Sequence, residues 1–225
     1  TEVAQAKLVE VPASEDELQD YFMERGWGDG LPVVAPTKER VERMLAANPT
    51  LDPDELIGII PPRRGYATIR QIAVNAAMAG CRPEYLPVVV TAVRCVVRPE
   101  WNLEAIQVTT HPGSPLVVIH GPIAKEIGAN WSYGCFGPGN RANATIGRAM
   151  RLILLNIGGA RPGAGDQATQ GQPSKYTYCI AENAVESPWP ALHVAKGFDP
   201  DQSAVTVFGA TNPENVNDHV SGDPV

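Results

Sequence analysis

The residue best suited to chemistry in this sequence is Cys135, which lies in a glycine-rich segment. Three glycines and a proline surround it and disfavour a regular element, so we expect a shaped loop. A helical pattern of apolar residues follows over residues 143–157. The loop therefore delivers the thiol to a helix N-terminus, where free N–H groups and the helix dipole stabilise a thiolate or a ligand oxyanion.

The same segment supplies candidate substrate-binding residues, namely Arg141, Asn143, Gly137 and Gly139. A second basic loop, at Arg64, precedes another predicted helix and can bind a substrate carboxylate or phosphate. The alternative interpretation of the cysteine loop is structural, because free cysteine commonly packs as a small hydrophobic residue beside a turn.

Four acid–base groups fall at predicted strand ends or in loops, where α/β proteins place their sites. His111, Glu182 and His193 join Cys135 as candidate catalytic residues: a histidine transfers protons and Glu182 orients it or shares that role. His120 ends an apolar strand and is interpreted as a satisfied core histidine or, alternatively, as a functional one. Trp189, near His193, is interpreted as a packing anchor.

No HxH, HxxxH or HExxH spacing occurs, so we predict no metal ligands. Residues 137–142 resemble G-x-G-x-x-A, but they do not directly follow a strong strand, and no suitably placed acidic residue ends a later strand. The sequence requires no cofactor and leaves a metal or a dinucleotide open as alternatives.

The composition limits the partners of the chain. The formal charge of −7 and the absence of a basic, aromatic-interleaved cluster argue against nucleic acid. No apolar run approaches the roughly 20 residues of a membrane helix, so we expect no membrane partner. Four isolated cysteines without a CxxC motif predict reduced thiols and a cytoplasmic location.

Helical and strand patterns are mixed throughout, which predicts a loop-rich α/β fold with a mixed or mostly parallel sheet and flanking helices. Residues 1–225 are expected to form one domain, in which residues 209–225 form a tail that docks on a partner subunit or frays. Residues 161–173 are expected to be a functional loop or lid. The sequence predicts helices over 14–25, 37–47, 68–79, 83–97 and 143–157, and strands over 31–34, 56–60, 105–109, 116–120, 176–181 and 204–208.

Three segments, residues 26–33, 76–88 and 134–148, resemble a poorly characterised bacterial family associated with small Sec/Cys-Gly-Ser-Cys (UGSC-type) proteins. Residues 179–183, 187–189 and 192–193 fit the same resemblance, which covers most of residues 26–198. It implies no established activity. It implies that family members commonly extend further at the C-terminus, so a homo- or hetero-oligomeric partner is expected to complete that end.

These observations predict an enzyme acting on a small molecule, and they leave open that it is the larger subunit of a heteromer. Cys135 is expected to cleave a polar bond to carbon, as in a hydrolase or lyase. The alternatives are a thiol-dependent oxidoreductase and a non-catalytic ligand-binding or scaffold subunit.

Overall fold

The computed structural model describes residues 7–214, 219, 220 and 222, and within them the chain forms eight α-helices and five β-strands. The α/β class predicted from the sequence is therefore confirmed. The helices are α1 Glu15–Glu24, α2 Lys38–Ala46, α3 Ile69–Ala79, α4 Leu86–Val96, α5 Leu103–Val108, α6 Pro122–Glu126, α7 Arg141–Asn156 and α8 Leu192–Ala195. The strands are β1 Leu56–Ile60, β2 Gly65–Thr68, β3 Ser114–His120, β4 Cys179–Ala181 and β5 Ala204–Ala210.

The strands form two sheets. β1 and β2 pair as an antiparallel hairpin, and the other three strands form a mixed sheet in the order β4-β3-β5. β3 runs parallel to β4 and antiparallel to β5. The predicted mixed sheet is thus present, although its parallel part is a single pair of strands.

Helices α3, α4 and α7 supply much of the core. α3 begins at a capping box formed by Thr68 and Gln71 and ends at Gly80, which adopts the left-handed conformation (φ 87°) that favours glycine. α7 packs against α3, α4 and strands β3 and β4, and most of its apolar residues are fully buried. The long helix therefore joins the helical core to the sheet that bears the candidate site.

Two predicted strands are wrong. Residues 105–109 belong mostly to helix α5, because the side chain of Asn102 accepts a hydrogen bond from the N–H of Ala105 and caps a helix there. Residues 31–34 form no strand. Instead, both backbone groups of Val33 bond to the side-chain amide of Gln19.

Other predictions need smaller corrections. Ser14 precedes α1 as expected, but its side chain makes no capping hydrogen bond. The strand expected over residues 176–181 is only three residues long, and a 3₁₀ turn at Pro173–Lys175 lies ahead of it. Helices α6 and α8 and strand β2 were not predicted; each has six residues or fewer, which is too short for a clear periodic pattern.

The predicted C-terminal tail is partly integrated into the fold. Strand β5 extends through Ala210, the hydroxyl of Tyr178 donates to the C=O of Thr211, and Asn212 bonds to both Gln172 and Ser174. The predicted tail also includes residues that lie outside the described part of the chain, namely 215–218, 221 and 223–225. None of the helices in the described part of the chain combines the length and hydropathy needed to cross a membrane.

Gly147 allows α7 to lie directly on the chain leading into β4. A Cβ at this position would meet the backbone nitrogen of Tyr178 and the Thr177 hydroxyl, both at 2.4 Å. We expect Gly147→Ala to lower the free energy of unfolding by roughly 1–3 kcal/mol, because the steric conflict outweighs the usual helical gain from alanine.

Chemical denaturation of the variant and of Gly113→Ala measures this effect. Gly113 is the matched control, since the nearest atom to a Cβ there is at 3.9 Å. Equal stability of the two variants would contradict the packing argument.

The buried carboxylate of Asp166 binds side chains and backbone around the 161–173 loop, and the stability that it contributes depends on pH. Burial disfavours its charged form, but hydrogen bonds from Lys175, from the N–H of Ala168 and from Arg151 lower the pKa of its carboxyl overall. Because the folded-state pKa lies below that of the unfolded chain, roughly 3.9, this contribution is complete above that value and is lost as pH falls through the folded pKa.

We therefore expect the stability difference between the wild type and Asp166→Asn to shrink as pH falls from 7 to about 2. Urea unfolding across this range measures it. At pH 7 the variant is expected to lose roughly 3–5 kcal/mol, because Arg151 and Lys175 would remain largely buried without their counter-charge. Parallel pH profiles for the two proteins would contradict the assignment.

Candidate functional site

Two polar side chains meet where β3 and β4 end, at what we call the carboxyl edge of the sheet. His120 is the last residue of β3, and Glu182 directly follows β4. The parallel register pairs Ile119 with Ala181, so the next residue on each strand comes side by side. Parallel strands thus bring together residues that are 62 positions apart in the sequence.

A short hydrogen bond joins these two side chains. Nδ1 of His120 lies 2.6 Å from Oε2 of Glu182, and Nε2 of His120 lies 2.9 Å from the hydroxyl of Thr206 on β5. The second carboxylate oxygen of Glu182 accepts the backbone N–H of Leu192 at 2.8 Å, where α8 begins. Both side chains are therefore fixed from two directions.

The charge states follow from these surroundings. Burial lowers the pKa of His120 below its usual range, although Glu182 opposes the effect. Burial alone would raise the pKa of Glu182, but the Leu192 N–H and His120 lower it overall. The contact is consequently a hydrogen bond from a neutral imidazole to an ionised carboxylate, and Nε2 of His120 accepts from the Thr206 hydroxyl.

His193 completes the group. Its side chain is nearly fully buried, with 5% of the residue exposed, and its ring centroid lies 5.8 Å from that of His120. Nε2 lies 3.4 Å from the C=O of Pro200, while the buried Nδ1 has no hydrogen-bond partner. Since a carbonyl oxygen only accepts, Nε2 is the nitrogen that donates to Pro200, and the tautomer with a single ring proton on Nε2 has a free lone pair on Nδ1.

We call His120, Glu182 and His193 the His–Glu cluster. One ligand atom from each residue can be chosen so that all three atoms lie within 4.8 Å of one another. The cluster contains two of the residues predicted as catalytic, Glu182 and His193. It also contains His120, for which the sequence left a core role open. Local spacing gave no sign of this group, because its members come from three separate elements.

The Cys135 loop leads into α7, as the sequence predicted. Asn140 caps the helix by accepting the N–H of Asn143, and the half-buried Cys135 lies five residues before this cap. The thiol is not one of the ligand atoms of the His–Glu cluster.

Asn143 supports the loop from inside. Its side chain is buried, accepts the N–H of Asn130, and donates to the carbonyl oxygens of Asn130 and Cys135. The same carbonyl of Asn130 accepts the N–H of Ala181, the residue before Glu182. The Cys135 loop therefore adjoins the carboxyl edge, and the structure gives Asn143 a positioning contact where the sequence predicted a substrate-binding one.

The two arginines near the cysteine in sequence make their contacts elsewhere. Arg141 donates twice to the C=O of Gly80 and so binds the C-terminal end of α3. Arg148 forms a bidentate pair with Asp29 and also binds the C=O of Leu31. Gly137 and Gly139 are exposed, and Gly139 has a φ of 111° that a residue with a side chain rarely adopts.

Two predicted site residues lie outside the cluster. His111 is exposed, and its backbone N–H binds the Thr109 hydroxyl. Arg64 is an exposed residue with a positive φ of 57°, and it lines a separate open groove of about 260 Å³ together with Arg98 and Glu104. The structure does not bring either residue to the His–Glu cluster.

Aromatic side chains are exposed on both chain segments of the site. Tyr133, two residues before the cysteine, is 99% exposed, and Phe136 is exposed beside it. Trp189, expected as a packing anchor, is instead 76% exposed. Apolar surface is therefore available along the segments that follow α6 and β4.

Comparison with family models, with curated protein sequences and with solved structures finds no match to this chain. The resemblance to the UGSC-associated family stays a prediction. Residues 137–142 follow α6 and a loop rather than a strand, which departs from the strand–turn–helix arrangement of dinucleotide sites.

Cys135 is expected to be the first thiol to react with iodoacetamide in the folded protein. Burial raises the pKa of Cys81 to about 12 and also raises the pKa of Cys95 and of Cys179, so their thiolates are disfavoured. Limited alkylation followed by peptide mapping measures the order. Cys135→Ser is the control, and earlier labelling of Cys95, which is also half-buried, would contradict the expectation.

Proposed function

We propose that this chain is an enzyme that cleaves a polar bond to carbon in a small molecule, by hydrolase- or lyase-type chemistry, with the His–Glu cluster as its reactive centre. The observation that supports this most is the partly buried 2.6 Å hydrogen bond between His120 and Glu182, beside a buried nitrogen of His193 that has no partner. Protein interiors normally satisfy buried polar atoms, so an open one at a strand edge is typical of a ligand site.

Proton transfer is the chemistry that these side chains offer by themselves. The free lone pair of His193 can accept a proton from a substrate or from water, and the C=O of Pro200 orients the ring. Ionised Glu182 orients His120 and stabilises positive charge that develops on it. General acid–base catalysis of this kind contributes roughly 10²–10⁴-fold to a rate.

Cys135 is the second reactive group in this proposal, with the role of nucleophile. The observation that favours it is the contact between Asn130 of its loop and Ala181, next to Glu182. A thiol-dependent oxidoreductase would use the same thiol with an electron donor or acceptor. A non-catalytic subunit of a heteromer would need neither group.

We place the enzyme in a reducing cytoplasm and in an oligomer. In support, all four cysteines are free. Exposed apolar side chains along the site segments, among them Tyr133, Val185 and Trp189, offer area that a partner subunit can cover.

Substitutions in the cluster test the proposal. We expect His193→Gln and Glu182→Gln each to lower turnover by roughly 10²–10⁴-fold, because the proton acceptor or its neighbouring charge is lost. Initial rates are measured on a panel of small esters, amides, thioesters and β-elimination substrates. The matched controls are His219→Gln and Glu186→Gln, both at exposed positions, and these are expected to retain wild-type rates.

The variants also separate the alternatives. Loss of turnover in Cys135→Ser with full turnover in the cluster variants would move the reactive centre to the thiol. Turnover that appears only with an added electron donor or acceptor would favour the oxidoreductase. A wild-type chain that turns over no member of the panel would favour the non-catalytic subunit.

A further inference from the structure

We infer that the His–Glu cluster binds one divalent transition-metal ion, with a ring nitrogen each from His120 and His193 and the carboxylate of Glu182 as ligands. This inference rests on the same centre as the proposed function, and it deepens that proposal by naming the cofactor of the centre. Its test measures metal binding itself and does not depend on turnover.

The distances suit such an ion. The three ligand atoms lie within 4.8 Å of one another, and two of them, His120 Nδ1 and Glu182 Oε2, are 2.6 Å apart. Four-coordinate zinc with bonds of about 2.1 Å places its ligands roughly 3.4 Å apart. Small side-chain rotations that open the short contact and close the longer ones are sufficient to surround an ion.

His193 provides an independent indication. Its Nδ1 is buried and has no hydrogen-bond partner, and its Nε2–H is directed to the C=O of Pro200. This is the tautomer of a metal-binding histidine, in which one nitrogen donates to a backbone carbonyl and the other has its lone pair free. A buried lone pair without a partner costs free energy that a bound ion would recover.

Each of the three ligands also has an outer contact of the kind that metal sites use. Thr206 binds Nε2 of His120, Pro200 accepts from Nε2 of His193, and the N–H of Leu192 binds the second oxygen of Glu182. Outer contacts of this kind fix the orientation of the ligands and affect metal affinity by roughly 10–100-fold. An accidental meeting of three polar side chains does not account for all three.

The donor set indicates the class of ion. Two imidazoles and one carboxylate suit Zn²⁺ or Fe²⁺, whereas Mg²⁺ and Ca²⁺ prefer oxygen ligands. On binding through Nδ1, His120 would take the tautomer with its proton on Nε2, which would then donate to the Thr206 hydroxyl, so the imidazole stays neutral. Three protein ligands leave a position for water, and water activated by the ion would then accept the protons that we otherwise assign to His193.

Zinc titration of the full chain tests the inference. The protein is first dialysed against a chelator, and Zn²⁺ is then added in competition with a chromogenic chelator. We expect one Zn²⁺ per chain with a Kd of about 1 µM or lower. Co²⁺ is expected to give the visible bands of a nitrogen–oxygen site without the intense near-ultraviolet band of a cobalt–thiolate bond.

Variants identify the ligands. We expect His193→Gln and Glu182→Gln to weaken binding by more than about 100-fold and Thr206→Val to weaken it by about 10–100-fold. His219→Gln and Cys135→Ser are expected to bind zinc as the wild type does. The melting temperature of each metal-free variant reports on folding, and zinc should raise it for the wild type but not for His193→Gln.

Three results would overturn the inference. The wild-type chain could bind no zinc at about 100 µM, which is roughly 100 times the expected Kd. A folded His193→Gln could bind zinc as tightly as the wild type, or Co²⁺ could give a thiolate band. The cobalt spectrum needs no variant, so it decides even if the substitutions unfold the protein. Turnover in the chelated protein without zinc binding would leave the proposed function standing and remove this inference. Zinc binding without turnover would do the reverse.

Discussion

The parallel pairing of β3 with β4 is the constraint on which the candidate site depends. It aligns the ends of the two strands, so that His120 and Glu182 lie beside each other with side chains 2.6 Å apart. A shift of one residue would turn the carboxylate to the opposite face of the sheet, because successive side chains on a strand alternate. The second neighbour of β3, the antiparallel β5, fixes its register over seven residue pairs and supplies Thr206.

Helix α7 connects this edge to the rest of the molecule. Gly147 lets the helix lie against the segment that leads into β4, and Asn143, buried one turn earlier, binds the loop that bears Cys135. Arg141 ties the first turn of α7 to the end of α3 at Gly80. The cysteine loop is consequently positioned by helix packing on one side and by the sheet on the other, so that two candidate groups from distant parts of the sequence share one region.

The sequence predicts the helices best where local signals are strong. Thr68, Gly80 and the apolar period of α7 mark their elements within one or two residues, because caps and periodicity act over a single turn. The strand expected at 105–109 fails, since six residues fit either pattern and one capping side chain, Asn102, decides between them. Strand β3 succeeds because its continuous apolar run is covered by neighbours on both sides.

In the candidate site, too, local signals in the sequence predict single residues but not the contacts between distant ones. Glu182 and His193 are candidates from the sequence alone, because a carboxylate that ends an apolar strand and a histidine in a stiff loop are unusual. Their meeting with His120 could not be identified, since it depends on strand register and on the position of α8. The sequence also assigned substrate contacts to Arg141 and Asn143, whereas their side chains bind the protein backbone. Residue type shows that such a group can form a bond, but not where its partner lies.

The length of α8 has a consequence for motion. A helix of four residues cannot sustain itself in water, because nucleation costs more than so few hydrogen bonds return. Its first N–H is donated to Glu182, and its second residue is His193. The order of this short helix and the occupancy of the cluster are therefore thermodynamically linked. Whatever binds Glu182 and His193 also changes how often α8 opens, and amide hydrogen exchange over residues 191–198 reports on the centre from outside it.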